Sequence, residues 1–188
     1  LASLQREDGG WSWFEGMNAN RYISLCVCEC LAQLPSLDEE QADMLRRGME
    51  YLDSVELAEY KHIRKRTKSI VLGNDRMRYL GLVSQVDALG LDGYRPAKAV
   101  LDMRKWSVGF LGKEVDRLTI YGMARSACIL RDNGEDKAAD KLVARLRDYT
   151  VARPGQGRFY ATDAAYYSWM DYRLPTQMAA MRALMQAD

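Results

Sequence analysis

The chain has 188 residues, 48% hydrophobic and 28% charged, enough to bury a sizeable core and ordinary for one globular domain. Its 27 basic and 26 acidic residues leave a net charge of +1, which argues against the basic face of a nucleic-acid or membrane-surface protein. No apolar run approaches the roughly 18 residues that span a bilayer, no signal peptide is recognisable, and the sequence opens on Leu1, so it reads as a fragment of something longer.

The opening "LASLQREDGGWSWFEG" places Trp11 and Trp13 two apart, beside the backbone freed by Gly9 and Gly10. Such a stretch is either a turn pinned into a core by aromatic wedges or an exposed platform for a ligand. Tyr22, Ile23, Cys26, Val27, Cys30, Leu31 and Leu34 then recur on one helical face. Cys26, Cys28 and Cys30 share that helix, where neither disulfide nor C-x-C-x-C metal geometry is reachable. With Cys128 they read as thiols packed like small apolar residues. Pro35 ends the helix, and "SLDE" (Ser36 to Glu39) has the capping-box spacing that opens a second one. This second helix carries Leu45, Met49 and Leu52 and runs towards "KHIRKR".

"GND" at Gly73 to Asp75 is a break, followed by a third helix with Met77, Leu80 and Val86. "GLDGYRP" (Gly90 to Pro96) is a loop whose Pro96 suits the first turn of a fourth helix, with Trp106 near that helix's end. Leu118, Tyr121, Ala124 and Cys128 mark a fifth, stopped by "DNG" at Asp132 to Gly134. Ala138, Leu142, Leu146 and Tyr149 mark a sixth. Residues 151–174 differ, with turn formers first and aromatics after, and a last helix runs from "PTQ" through Met178, Met181 and Leu184. The alternation of a sheet is absent, apart from a short extended piece around Arg158 to Tyr160. The pattern predicts an all-α protein of about seven helices in antiparallel hairpins, and units of roughly 35 to 45 residues suit a solenoid or toroid.

The basic run Lys61, Arg64, Lys65, Arg66 and Lys68 reads as a solvated helix end, where cations oppose the helix dipole. His62 is the only histidine, so zinc hydrolase and deaminase signatures are excluded; no P-loop, G-x-G-x-x-G or EF-hand loop occurs, and no metal or cofactor is expected. Asp8, Asp163 and Asp171 lie in aromatic-rich loops, where a glycosidase could hold paired carboxylates. Cys30 and Gln33 have the spacing of an internal thioester, but in mid-helix with no glycine to release the backbone. Two aromatic groups remain: Trp11, Trp13 and Phe14 near one end, and Phe159, Tyr160, Tyr166, Tyr167, Trp169 and Tyr172 near the other.

Taken in order, these segments resemble a known family. "LQREDGGWSWFEGMNANRYISLCVCECLAQL" is similar to the "LQ..DGGWSWF.G....YIT..V...L..L" segment in the thioester-type domain of bacterial alpha-2-macroglobulin-like proteins. "MRYLGLVSQ", then "KWSVGFLGKEVDRLTIYGMARSACILRDNGEDKAADKLVARLRD", then "GRFYATDAAYYSWMDYRLPTQMAAMRALMQ" resemble the segments that follow, so the likeness covers nearly the whole chain. "LQ..DGGW" alone also resembles repeats of terpene cyclases and prenyltransferases.

The resemblance implies an α/α toroid, here short of a complete ring and spanning residues 1–188, in which "DGGW" links an outer to an inner helix and Trp11 wedges against the next hairpin. It implies a non-catalytic module of a broad-spectrum protease inhibitor, in a parent that is periplasmic or anchored in the cell envelope. Partners would be the parent's other domains and, through it, target proteases. In thioester-bearing members a C-x-E-Q motif precedes the region that this chain resembles, and the chain contains none. Either the motif lies upstream, or this member belongs to the branch that lacks it and acts sterically; steric trapping is the expectation. Candidate interface residues are Trp11, Trp13, Tyr22, Trp106, Tyr121, Tyr160, Trp169 and Gln177. Of the enzyme alternatives, a terpene cyclase or prenyltransferase would need D-x-D-D or D-D-x-x-D clusters, and neither occurs. A glycosidase or carbohydrate-binding toroid would need an open aromatic cleft.

Overall fold

In a computed structural model describing residues 1–66, 72–113, 118–162 and 172–187, the first apolar segment becomes helix α1, Arg21–Ala32. The face it buries, however, is Ser24, Leu25, Cys28, Leu31 and Ala32; of the expected face only Leu31 is buried, and Tyr22, Cys30 and Leu34 are exposed. Asn20 caps α1, its side-chain oxygen accepting the Ile23 N–H at 3.2 Å. Helix α2, Glu39–Arg66, does open on a capping box, but two residues beyond the one expected at Ser36 to Glu39. The Asp38 carboxylate accepts the Gln41 N–H at 2.8 Å, and the Gln41 side chain accepts the Asp38 N–H at 3.1 Å. A carboxylate is favoured at the positive end of a helix, and here it takes the cap.

Helix α3 spans Asn74–Leu89 and α4 spans Lys98–Leu111. Pro96 does not enter the first turn of α4. The Ala97 carbonyl takes the first bonds, from Val100 N–H at 2.9 Å and Leu101 N–H at 3.1 Å, so Pro96 stiffens the approach loop instead. Helix α5, Ile120–Asp132, is capped by Thr119 and ends at the expected turn. Gly134, at φ +75°, donates to Arg131 at 3.0 Å and Glu135 donates to Leu130 at 2.9 Å, the paired bonds of a Schellman motif. That stop turns the chain directly into α6, Asp136–Asp148.

The extended piece expected at Arg158 to Tyr160 is one half of an antiparallel ribbon, β1 (Val151–Arg153) with β2 (Gly157–Phe159), in which Val151 faces Phe159. Three-residue strands that bury almost nothing give no alternation for a sequence to show. Helix α7, Arg173–Met185, starts two residues before Pro175, which falls in the first turn where its missing N–H leaves no bond unmade. The fold is all-α: seven α-helices among the described residues, with the ribbon their only sheet. None of these helices is long and apolar enough to cross a membrane.

The chain divides into two compact units, Leu1–Ile70 with Arg78–Trp106 and Val71–Met77 with Ser107–Asp188. In the first, α1 packs on α2, and Leu25, Leu45, Met49, Leu52, Leu82 and Met103 are buried. In the second, α5 carries both α6 and α7. Thr176, Ala180 and Ala183 form the buried stripe of α7, and their short side chains let it approach closely. Met178 and Met181, which mark this helix in the sequence, face solvent together with Leu174 and Met185.

Candidate functional site

The aromatic loop before α1 is built on a small hairpin in which Gln5 pairs with Trp11. Arg6 N–H donates to the Gly10 carbonyl at 2.9 Å, and Gly9 N–H donates to the Arg6 carbonyl at 2.9 Å. Gly9 sits at φ +88°, and a β-carbon there would run into the Arg47 carbonyl of α2, so only glycine fits. The hairpin is tied to α2 twice more: Gln5 Nε2 donates to the Met44 carbonyl at 3.0 Å, and Arg47 donates to the Arg6 carbonyl at 3.0 Å.

This platform aims Trp11 inward. The residue is 2% exposed, and its ring meets α2 at Gly48, where an added β-carbon would lie 2.8 Å from Trp11 Cζ3 and 2.5 Å from Cys28 Sγ of α1. Every polar atom of Trp11 is satisfied. Its N–H donates to Ser24 Oγ at 2.9 Å, its carbonyl accepts from Asn20 N–H at 2.7 Å, and its indole N–H donates to the Leu1 carbonyl at 3.2 Å. The wedge expected of Trp11 is therefore present, and burial pushes the Cys28 thiol beside it well above the usual range.

Trp13 does the opposite and is 55% exposed. Its ring stacks on Tyr22 of α1, with centroids 6.0 Å apart and planes 11° apart. The Arg78 guanidinium of α3 also lies over the Tyr22 ring, 4.9 Å from its centroid. Arg78 is held in turn by Glu29, at 3.2 Å through Nε and 2.5 Å through Nη2, and it donates to Cys26 Sγ at 3.2 Å. Burial alone would lower the pKa of Arg78, but the Glu29 pair outweighs it and fixes the charge. Beyond Trp13, Phe14 is 72% exposed at the start of a turn closed by Met17 N–H to the Phe14 carbonyl at 3.2 Å. Gly16 at φ +82° and a Glu15 without positive φ make it a type II turn.

A second constellation lies inside the same unit and is not suggested by any motif. Asp53 of α2, Tyr79 of α3, Tyr94 of the following loop and Arg104 of α4 are all buried and bonded to one another. Tyr94 donates to Asp53 Oδ2 at 2.8 Å, Arg104 donates to Asp53 Oδ1 at 2.7 Å and to the Tyr79 hydroxyl at 2.8 Å, and Tyr79 donates to Asp53. Burial, then the Asp53 charge, raise both tyrosine pKa values far above normal, so both stay neutral donors. The sequence does carry a trace of this cluster: Asp53 adjoins Leu52 and Arg104 adjoins Met103 on core-facing turns, where a charge needs a buried partner.

Trp106 is half-buried, 5.1 Å from Tyr60 and with Arg64 over its ring at 5.8 Å, so one member of the basic run is engaged with an aromatic. Tyr121 is buried in α5. Gln177 of α7 grips the backbone of buried Tyr160, accepting its N–H at 3.1 Å and donating to its carbonyl at 2.7 Å. Trp169, Asp163 and Asp171 lie outside the described residues. Asp8 is exposed and accepts the Gly10 N–H at 3.1 Å. All four cysteines are free; Cys28 and Cys128 are buried as expected, whereas Cys30 is exposed. No group of three His, Cys, Asp or Glu side chains that could hold a metal ion occurs among the described residues.

Of the expected residues, then, Trp13 and Tyr22 meet directly and Trp11 shares the loop of Trp13, while Tyr160 and Gln177 meet in the other unit. No family model matches the sequence, and no curated protein or solved structure matches it either.

Proposed function

We propose that this chain is a non-catalytic helical module of a bacterial alpha-2-macroglobulin-like protein, an α/α toroid segment of the thioester-type domain that acts through contacts with its parent's other domains. In this reading trapping is steric, the parent works at the cell envelope or in the periplasm, and the proteases it holds meet this module only through the parent. The observation that carries the reading is the division of labour in the "DGGWSWF" loop. Trp11 locks the loop onto α1 and α2, and the same loop presents Trp13 and Phe14 outward. That is the build of a scaffold with a contact surface. The family placement rests on the ordered resemblance from "LQREDGGWSWF" to "PTQ". The buried polar residues of the first unit support a structural part, because Asp53, Tyr79, Tyr94 and Arg104 spend their bonds on one another.

The test is methylamine treatment of the full-length parent followed by intact-mass measurement. An unchanged mass, with inhibition of a protease retained, is the expected result. A covalent amine adduct would overturn the steric reading, and a parent that hydrolyses a sugar or diphosphate substrate would overturn the non-catalytic one.

A further inference from the structure

The free side of the aromatic loop has a charge pattern that the wedge does not use. Residues 7–20 contain three carboxylates, Glu7, Asp8 and Glu15, and no lysine or arginine. All three carboxylates are exposed, and none forms an ion pair among the described residues. Several other carboxylates of this unit are held by arginines: Glu29 by Arg78, Asp53 by Arg104, Glu56 and Glu59 by Arg21, and Asp43 and Glu50 by Arg46. The unpaired carboxylates share one short, exposed segment with the loop's most exposed aromatic side chains, Trp13 and Phe14. Of the cations beside the shelf, Arg78 is held by Glu29 and Arg21 by Glu56 and Glu59, so neither adds net repulsion.

We propose that Trp13 and Phe14 form a docking surface for a basic peptide segment, an arginine or lysine side chain lying on the indole face with Glu15 and Asp8 supplying the counter-charge. A guanidinium or ammonium group over an indole is the favoured cation–π pair, and nearby carboxylates strengthen it and steer its approach. The surface is already ordered. Trp13 rests on Tyr22, the type II turn fixes Phe14 to Met17, and the hairpin fixes Asp8, so little freedom is lost when a ligand arrives.

A sugar fits less well. A neutral sugar gains nothing from the negative charge of Glu7, Asp8 and Glu15, and the Ser12 hydroxyl is already spent on the Phe14 carbonyl at 2.7 Å. The same carboxylates disfavour an acidic peptide or an anionic lipid surface. The docking surface does not depend on the family placement proposed above.

The experiment titrates the ¹⁵N-labelled chain with a capped tetra-arginine peptide and follows the indole N–H resonances of its 4 tryptophans. The Trp13 resonance is expected to shift saturably while that of buried Trp11 stays in place, and raising the salt across the range where screening sets in should weaken binding about fivefold or more. Glu15→Gln with Asp8→Asn should weaken it about threefold or more at low salt, since each carboxylate is worth a fraction of a surface ion pair. Trp13→Ala should abolish it. Asn retains the Asp8 cap to Gly10, and Trp13 and Glu15 are exposed, so these variants keep the fold. An unmoved Trp13 resonance, an equal response to tetra-glutamate, or saturation by a neutral oligosaccharide that displaces the peptide would each overturn the proposal.

Discussion

Trp11 and Trp13 are two residues apart, and on an extended strand both would point to the same side. Here one is buried and the other half-exposed because the chain bends directly after Trp11, whose carbonyl is claimed by Asn20 and whose ring is claimed by the bare backbone of Gly48. The two tryptophans should therefore differ sharply in what they contribute. Trp11→Ala removes a fully buried ring, leaves a cavity between α1 and α2 and loses the indole N–H bond to the Leu1 carbonyl, a loss of about 3–5 kcal/mol. Trp13→Ala gives up a solvent-facing stack on Tyr22, about 1.5 kcal/mol or less. Urea unfolding followed by circular dichroism separates them. Equal losses would mean that the loop is not held by the wedge described here.

Among the elements, α2 depends for its start on the reciprocal Asp38–Gln41 box, so Asp38→Ala should cost about 1 kcal/mol while Ser36→Ala costs almost nothing. The opposite order in the same unfolding assay would restore the "SLDE" box of the sequence reading. That choice between two adjacent boxes shows where local reading stops. Helix spans were legible because apolar spacing is a property of each segment, and the "DNG" stop was legible because a glycine at positive φ closes the helix by itself. The position of Pro96 outside α4 and the partner strand of Gly157–Phe159 were not, being settled by a few backbone hydrogen bonds that no apolar pattern marks. Likewise nothing local says that Trp11 rather than Trp13 finds a groove, because the groove is Gly48 on another helix. The Asp53, Tyr79, Tyr94 and Arg104 cluster draws on four separate segments, and only a charge on a core-facing turn hinted at it.

At the scale of the whole molecule, that cluster joins α2, α3, the loop after it and α4 within the first unit, and makes stability there a function of pH. Burial first, and the Asp53 charge second, raise the pKa of Tyr79 and Tyr94 in the folded state. Released by unfolding, both tyrosines titrate near their ordinary value of about 10. Below that pH both states carry the same protons and the contribution of the cluster is fully present. Above it the unfolded chain binds fewer protons than the folded one, so stability falls as pH rises, by up to about 1.4 kcal/mol per pH unit for each tyrosine. The denaturation midpoint should therefore be insensitive to these two groups between about pH 7 and 9 and drop above about pH 10. Lysines and the remaining tyrosines titrate in the same range, and comparison with Tyr79→Phe cancels them. The variant starts less stable, having lost the bond to Asp53, but loses stability less steeply above about pH 10 because one titrating group is gone. Parallel slopes for the two proteins would mean that Tyr79 ionises in the folded state, which a ring buried against Asp53 cannot do without breaking the cluster.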